Sequence, residues 1–317
     1  MLRICIGWLL WAGLTGSSWA AERALSRPDP AVGDRFRVMT YNVENYHLIA
    51  TATRHAKTAE SRAKVADSIV MGRPDVLALQ EMGTREALHE LQAALKSRGL
   101  DLPHVEYVGG WDTNISVAVL SRFSFSRRNP HTNESFLLNG RRWHMSRGIA
   151  EVEVAVSAKY HFTLFTTHLK SKRALGEASE RDIREQEAMI LREIVAERLA
   201  RDPNANVLVC GDFNDTRDTP TLKTLMGDRE TRLFDSRPSE PNGDVVPAEN
   251  PKFDPRRITW THHFGKEDTY SRIDYILLAR GLKREWCPEG SRIVAVPDWG
   301  VGSDHRPVVC EFLAEDR

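Results

Sequence analysis

Asp212 and Asn214 stand two residues apart, where the apolar run Val207–Cys210 breaks at Gly211. Two apart at the end of an extended segment, their side chains point the same way. A carboxylate beside an amide is a hard-oxygen pair, suited to a divalent cation or to a water held against a phosphate. Alone, the Gly-Asp-Phe-Asn run reads equally well as a turn. The same grammar recurs, however. Asn42 and Glu44 follow the β-rich run 36–41, Glu81 closes 75–79, and His168 closes 161–167. Asp274 lies inside 272–278, and the pair Asp304-His305 precedes 308–312. Carboxylates and amides with two histidines and no thiol favour Mg²⁺, Mn²⁺ or Ca²⁺ over zinc or copper. Glu81 with Asp304, backed by Asn42, matches the one or two carboxylates that Mg²⁺ takes.

The remaining residues suit in-line displacement at phosphorus, which needs a positioned water, neutralised non-bridging oxygens and a proton for the leaving oxygen. Asp212 with Asn214 orients and deprotonates the water in this reading. His305, held in one tautomer by Asp274, bonds the phosphoryl group as it gains charge. His168 reads as a second phosphate contact or as the acid, and Arg147 as a clamp on an oxygen. Each has a plainer alternative. Asp274 would then be a structural acid paired with Arg272, His168 a core histidine, Asn42 the start of a turn and Arg147 a solvated charge. Trp143, Trp260 and Trp299 read as packing.

Alternating and helical periods set out the elements that carry these groups. Strands are expected at 36–41, 75–79, 117–120, 149–156, 161–167, 207–210, 272–278 and 308–312. Helices are expected over 58–72, closed by Gly72 and Pro74, over a segment capped by Thr84 and stopped at Gly99, and over 179–200. In the last, Ile183, Ile190, Leu191, Ile194, Val195 and Leu199 form the apolar stripe. The arginine-rich stretch 122–147 is expected to be an irregular loop beside the site, and 236–256 a polar surface excursion.

The first twenty residues read as a leader, with Arg3 before an apolar core at 4–14 and a Ser18-Trp19-Ala20 cleavage site. The core is too short for a permanent anchor, so the mature chain is expected to be exported, periplasmic or secreted, without an integral span. Lys+Arg and Asp+Glu are 44 each. That neutrality argues against wholesale electrostatic capture of nucleic acid, though not against a local basic groove. Cys5 leaves with the leader. Cys210, Cys287 and Cys310 remain, and in an oxidising compartment one disulfide among them is open, its partners unspecified. No CxxC or His/Cys cluster points to zinc.

Taken together, the runs Met39–Val43, Asp75–Glu81, Thr167–Leu169, Gly211–Asp215, Arg272–Leu277 and Ser303–Pro307 resemble the endonuclease/exonuclease/phosphatase (DNase I-like) superfamily, in the form of a secreted bacterial-type member. The resemblance spans 36–313, preceded by the leader 1–20 and a 21–35 segment. It implies an α/β fold, a four-layer sandwich of two packed mixed β-sheets flanked by helices. It also implies Mg²⁺ or Mn²⁺ at Glu81 with Asn42 and Asp304 close by. Asp212, Asn214, His168 and His305 would surround the scissile phosphate, with Asp274 behind His305. His168 matches the DNase I-like and sphingomyelinase-like branch; abasic-site enzymes usually carry tyrosine there. Gly148 follows Arg147 where the family often has proline. Asp112 lies where the family often places an acid behind the histidine equivalent to His168, and it joins Arg147 as a residue at the substrate phosphate.

The expected activity is metal-dependent phosphodiester hydrolysis by a monomer, with DNA or RNA as the substrate. The alternative substrates are lipid headgroups and small phosphoesters. For a membrane-acting member Phe136–Leu138 is the sole, short apolar candidate. A catalytically dead binding module is the third reading, and it is disfavoured because every expected position is filled.

Overall fold

The computed structural model describes residues 33–174, 176–241 and 257–317. The expected leader, most of 21–35 and residues 242–256 of the 236–256 excursion lie outside the described residues. Along the chain, β1 (Arg35–Tyr46), α1 (Ala59–Gly72), β2 (Val76–Met82), α2 (Arg85–Ser97), β3 (His104–Val108) and β4 (Ser116–Ser121) come first. Then follow β5 (Ser124–Arg128), β6 (Ser135–Leu138), β7 (Arg141–His144), β8 (Ala150–Ala155), β9 (His161–His168) and α3 (Glu180–Arg201). After these come β10 (Val207–Asp212), α4 (Pro220–Met226), β11 (Phe234–Asp235), β12 (His262–Phe264) and β13 (Thr269–Ser271). The chain closes with β14 (Asp274–Leu278), α5 (Arg280–Glu285), β15 (Trp286–Ile293) and β16 (Val308–Leu313).

The strands form two mixed six-stranded sheets, ordered β15-β16-β1-β2-β4-β3 and β11-β14-β10-β9-β8-β5. The parallel pairs, β1 with β2 and β9 with β10, lie at their centres. α1 and α2 cover the outer face of the first sheet, and α3 and α4 that of the second. This is the four-layer sandwich expected from the sequence.

Period-two alternation decides which residues meet between the sheets. Phe36, Val38, Phe162, Leu164, Leu208, Cys210, Ile276, Leu278 and Phe312 fill that interior. Phe36 stacks on Phe162 at 5.3 Å and on Phe312 at 5.5 Å. Met39, Tyr41, Leu77 and Leu79 point the other way, onto the helices. Each fully buried large apolar side chain contributes roughly 1.5–3 kcal/mol, enough in sum for one end of the interior to be polar. There Thr40 bonds Gln80 at 3.2 Å, and Gln80 bonds Thr166 at 3.0 Å. Beyond that hydrogen-bonded layer the same inward register delivers Asn42, His168, Asp212 and Asp274.

Thr84 caps α2 as expected, accepting from the Ala87 N–H, and Thr58 and Ser179 do the same for Ser61 and Asp182 at α1 and α3. Gly72 serves a different purpose from a stop signal. Arg73, at φ +48°, makes the left-handed cap, while a Cβ on Gly72 would lie 2.0 Å from Met39 Cε. Glycine there lets α1 sit close on the sheet.

The 122–147 stretch is not a loop. It contains the edge strand β5 and the hairpin β6–β7. The strand arginines Arg127, Arg128, Arg141 and Arg142 hid the alternation because they sit on solvent faces, where Arg127 pairs with Glu151 at 3.1 Å and Arg128 with Glu106 at 2.9 Å. Strands β3 and β15, also sheet edges with mixed patterns, likewise escaped the sequence reading. Cys210, Cys287 and Cys310 are buried and free. Trp260 packs under the Arg306 guanidinium at 3.3 Å and beside Trp299. Among the described residues no helix is long and apolar enough to cross a membrane.

Candidate active site

The site forms where β1, β2, β9, β10 and β14 end at one edge of the sandwich. Asp212 is at its centre, paired in register with His168 on one side and Asp274 on the other. Its Oδ2 accepts from Asn42 Nδ2 at 2.9 Å and lies 3.5 Å from His168 Nε2 and 3.7 Å from His305 Nε2. Its Oδ1 accepts from the Asn214 N–H at 2.9 Å. Asn42 comes from the first sheet and Asp212 from the second, so both sheets must be in place for this contact to exist.

Burial pushes Asp212 up to about 7, with Asp274 reinforcing the rise and His305 opposing it. His305 behaves oppositely. Burial alone would lower it, but the carboxylates of Asp274 and Asp212 hold it well above the usual histidine range. Its Nδ1 meets Asp274 Oδ2 at 2.8 Å, which turns Nε2 toward Asp212, Asn42 and Asp304. Arg272, the structural partner considered for Asp274, instead binds Asp235 at 2.9 Å.

His168 is fully buried and kept neutral by burial and by the charges of Arg147 and His305, which lower it well below its usual value. Asn214 Nδ2 spans its Nε2 at 2.9 Å and the Leu169 carbonyl at 3.0 Å. With that amide donating, the imidazole proton sits on Nδ1, which has no hydrogen-bond partner and lies 4.0 Å from Glu81 Oε1.

The acidic rim is built from strained backbone. Glu44, Asn45, Glu81 and Asn214 all have positive φ, between +45° and +61°. Non-glycine residues are rarely held there except where surrounding structure enforces it, often at functional sites. Register shifts on both sides of β2 mark the irregularity that re-aims Glu81. Glu81 accepts from Asn42 Nδ2 at 3.3 Å and from the Asn45 N–H at 2.9 Å. Asp304 is half-exposed and donates its N–H to Glu44 at 3.2 Å.

These groups fit a divalent cation. Glu44 is raised by burial and by the negative charge of Asp304, with Glu81 adding to it, while Lys57, 3.9 Å away, and the Asp304 N–H oppose. Glu44 is thus left short of positive charge beside two further carboxylates. Asn45 Oδ1 adds a buried oxygen with no hydrogen-bond partner. Ligand atoms also converge in two triads, His262/Asp304/His305 and Asp212/Asp274/His305. The second is already bonded internally through Asp274 and His305, so the open rim is the better cation site. Asn42 turns its nitrogen to Glu81 and Asp212, while its oxygen accepts from the Glu44 N–H at 2.9 Å and keeps a second lone pair.

The plainer alternative for Arg147, a solvated charge, does not hold: it is only 6% exposed, with Nε lacking a partner. One further expectation changes. Asp112 does not stand behind His168; it lies 3.8 Å from Arg147 and accepts from Asn114. Three contributors escaped the sequence reading. His262 lines the rim beside Glu44, with its Nε2 3.6 Å from Asp304. Glu187 and Arg184 come from the buried face of α3. Glu187 receives the N–H groups of Ser146 and Lys170, and Arg184 binds Asp215 at 3.1 Å. They pin the segments on either side of Arg147, His168 and Asn214. Charged residues on an expected apolar stripe were the available signal.

No curated protein sequence matches the chain significantly. Truncated TDP2 of Caenorhabditis elegans superposes with TM-score 0.57 at 20% identity, over 89% of this chain and 99% of that one. The human Nocturnin catalytic domain with bound sulfate gives 0.58 at 16%, over 88% and 94%. Sphingomyelinase C from Streptomyces griseocarneus gives 0.51 at 16%, over 88% and 99%. At such identities the likeness is one of fold. Residues 39–305, by contrast, match the Endonuclease/Exonuclease/phosphatase family directly, and the chain belongs to that family of metal-dependent phosphoester hydrolases.

Proposed function

We propose that this enzyme is an exported phosphodiesterase, Mg²⁺- or Mn²⁺-dependent, that hydrolyses nucleic acid by in-line attack of water. The catalytic unit is 36–313, released from the leader 1–20. The observation that carries the reading is the convergence on Asp212 of Asn42, Asn214, His168 and His305 from both sheets. Asp212, titrating near neutrality, takes the proton of a water that Asn214 helps to hold. His305, protonated against Asp274, donates to a non-bridging oxygen as charge develops. His168, neutral, offers its unpartnered Nδ1–H to another, so the phosphate-contact role suits it better than that of acid. A divalent cation held by Glu81 with Asp304 and Glu44 would neutralise phosphoryl charge.

Nucleic acid is favoured over lipid by a feature of the rim. Trp111 is 69% exposed and stacked on His144 at 4.2 Å with planes 7° apart. It adjoins the Asp112–Arg147 pair and offers a rigid, open face to a base. The test is nicking of supercoiled plasmid with Mg²⁺ or Mn²⁺, beside EDTA and His305→Ala lanes and a parallel assay on sphingomyelin vesicles. Nicking that requires both metal and His305 is expected. Folded protein that leaves plasmid intact but releases phosphocholine overturns the nucleic-acid assignment.

A further inference from the structure

At the opposite end of β14 from Asp274 lies a second, chemically different feature. Leu278 there pairs with Leu208 and with Phe234 of the edge strand β11, about 13 Å along the strand from the active-site end. Beside it opens a cavity of about 590 Å³ lined by Arg229, Arg232, Arg280, Lys283 and Arg284, with Phe234 and the single acid Glu230. All five cations are exposed. Among the described residues none forms an ion pair with a side-chain carboxylate, although Arg284 donates to the Arg317 backbone oxygen at 3.1 Å, whereas surface arginines elsewhere, such as Arg181 and Arg128, do. Lys283 Nζ sits 3.9 Å from the centre of the Phe234 ring, and Arg232 approaches the same ring at 5.6 Å. Like charges gathered without counterions oppose folding, so packing gives no reason for the cluster.

We propose that this groove binds the phosphodiester backbone of a single-stranded nucleic acid, separately from the Asp212 site. A neighbouring cavity of about 190 Å³ shares Arg232, Phe234 and Lys283 and reaches Arg217, five residues beyond Asp212. The basic surface is therefore elongated, which suits a linear polyanion over one isolated phosphate. An aromatic floor flanked by cations suits a strand that carries bases as well as charge. A membrane surface fits poorly. The feature is concave, and none of the large exposed apolar side chains lines it; Phe234 is half-buried. The proposal stands independent of which phosphoester is cut at Asp212.

The test is fluorescence anisotropy of a fluorescein-labelled oligo(dT) with the full mature chain in EDTA, over a salt series. Wild type is compared with Arg229→Gln/Arg280→Gln, whose side chains have no partner to lose, and with Arg232→Gln/Lys283→Gln. Each double variant should weaken binding by about tenfold or more and reduce the log–log salt slope by about 0.7 per cation removed. Thermal melts would verify folding, and turnover of bis(p-nitrophenyl) phosphate should be unchanged. Unaltered affinity and slope in folded variants overturns the proposal. So does binding that survives them but is lost in His305→Ala, or preferential groove-dependent binding of inorganic polyphosphate or anionic phosphatidylserine vesicles.

Discussion

At the scale of single residues, the site depends on opposed protonation of two neighbours. Asp212 is raised to about 7 and His305 is raised well above its usual range, with Asp274 contributing to both shifts. The 2.8 Å contact from His305 to Asp274 fixes tautomer and charge together. Asp274→Asn keeps the shape and removes the negative charge. Its turnover is expected to fall by roughly 100-fold or more. The pH profile adds a test that simple disruption would not meet. Without Asp274 the His305 proton is held less tightly, so the alkaline limb of the rate profile should move to lower pH. An unmoved limb in a folded variant would show that Asp274 does not set the charge of His305.

At the scale of elements, strand register is what turns sequence motifs into a site. The inward series Phe36-Val38-Thr40-Asn42 and Leu208-Cys210-Asp212 could be read from alternation alone, and so could the placement of Asp274 and His168. Glu187, Arg184 and His262 could not, because their partners lie on other elements and spacing encodes no such pairing. Asp112 was misplaced for the same reason, since only the fold brings its loop to Arg147. Gly211 shows both layers at once. In sequence it looks like a turn glycine. In the structure it sits inside the β10–β9 ladder at φ +139°, where a Cβ would lie 2.0 Å from the Thr167 carbonyl oxygen. Gly211→Ala must therefore part the two strands that carry Asp212 and His168. A loss of about 2 kcal/mol or more in urea unfolding is expected, together with lowered turnover. A loss below about 0.5 kcal/mol would mean that the ladder gives way freely.

At the scale of the whole molecule, a net charge of zero conceals a division of labour. Carboxylates and histidines gather at one edge of the sandwich, while a cluster of exposed cations and a buried acid, Glu285, lie toward the other. Glu285 is 1% exposed and accepts from the Tyr160 hydroxyl, joining α5 to the turn before β9. Burial raises it to about 7, with Asp316 adding to the rise. A carboxyl whose folded value exceeds its unfolded one binds its proton more tightly in the native state. Its contribution is complete below about 4.5 and lost as pH climbs through 7. A shift of that size corresponds to roughly 3 kcal/mol. Glu285→Gln keeps an acceptor for Tyr160 but cannot ionise, so its stability should not carry this loss. Urea unfolding of both proteins at pH 5 and pH 8 isolates the effect, because every other titrating group is shared. The stability difference should move in favour of the variant between the two pH values. Parallel behaviour would mean that Glu285 ionises in the folded chain as readily as in the unfolded one, and that α5 is held by packing alone.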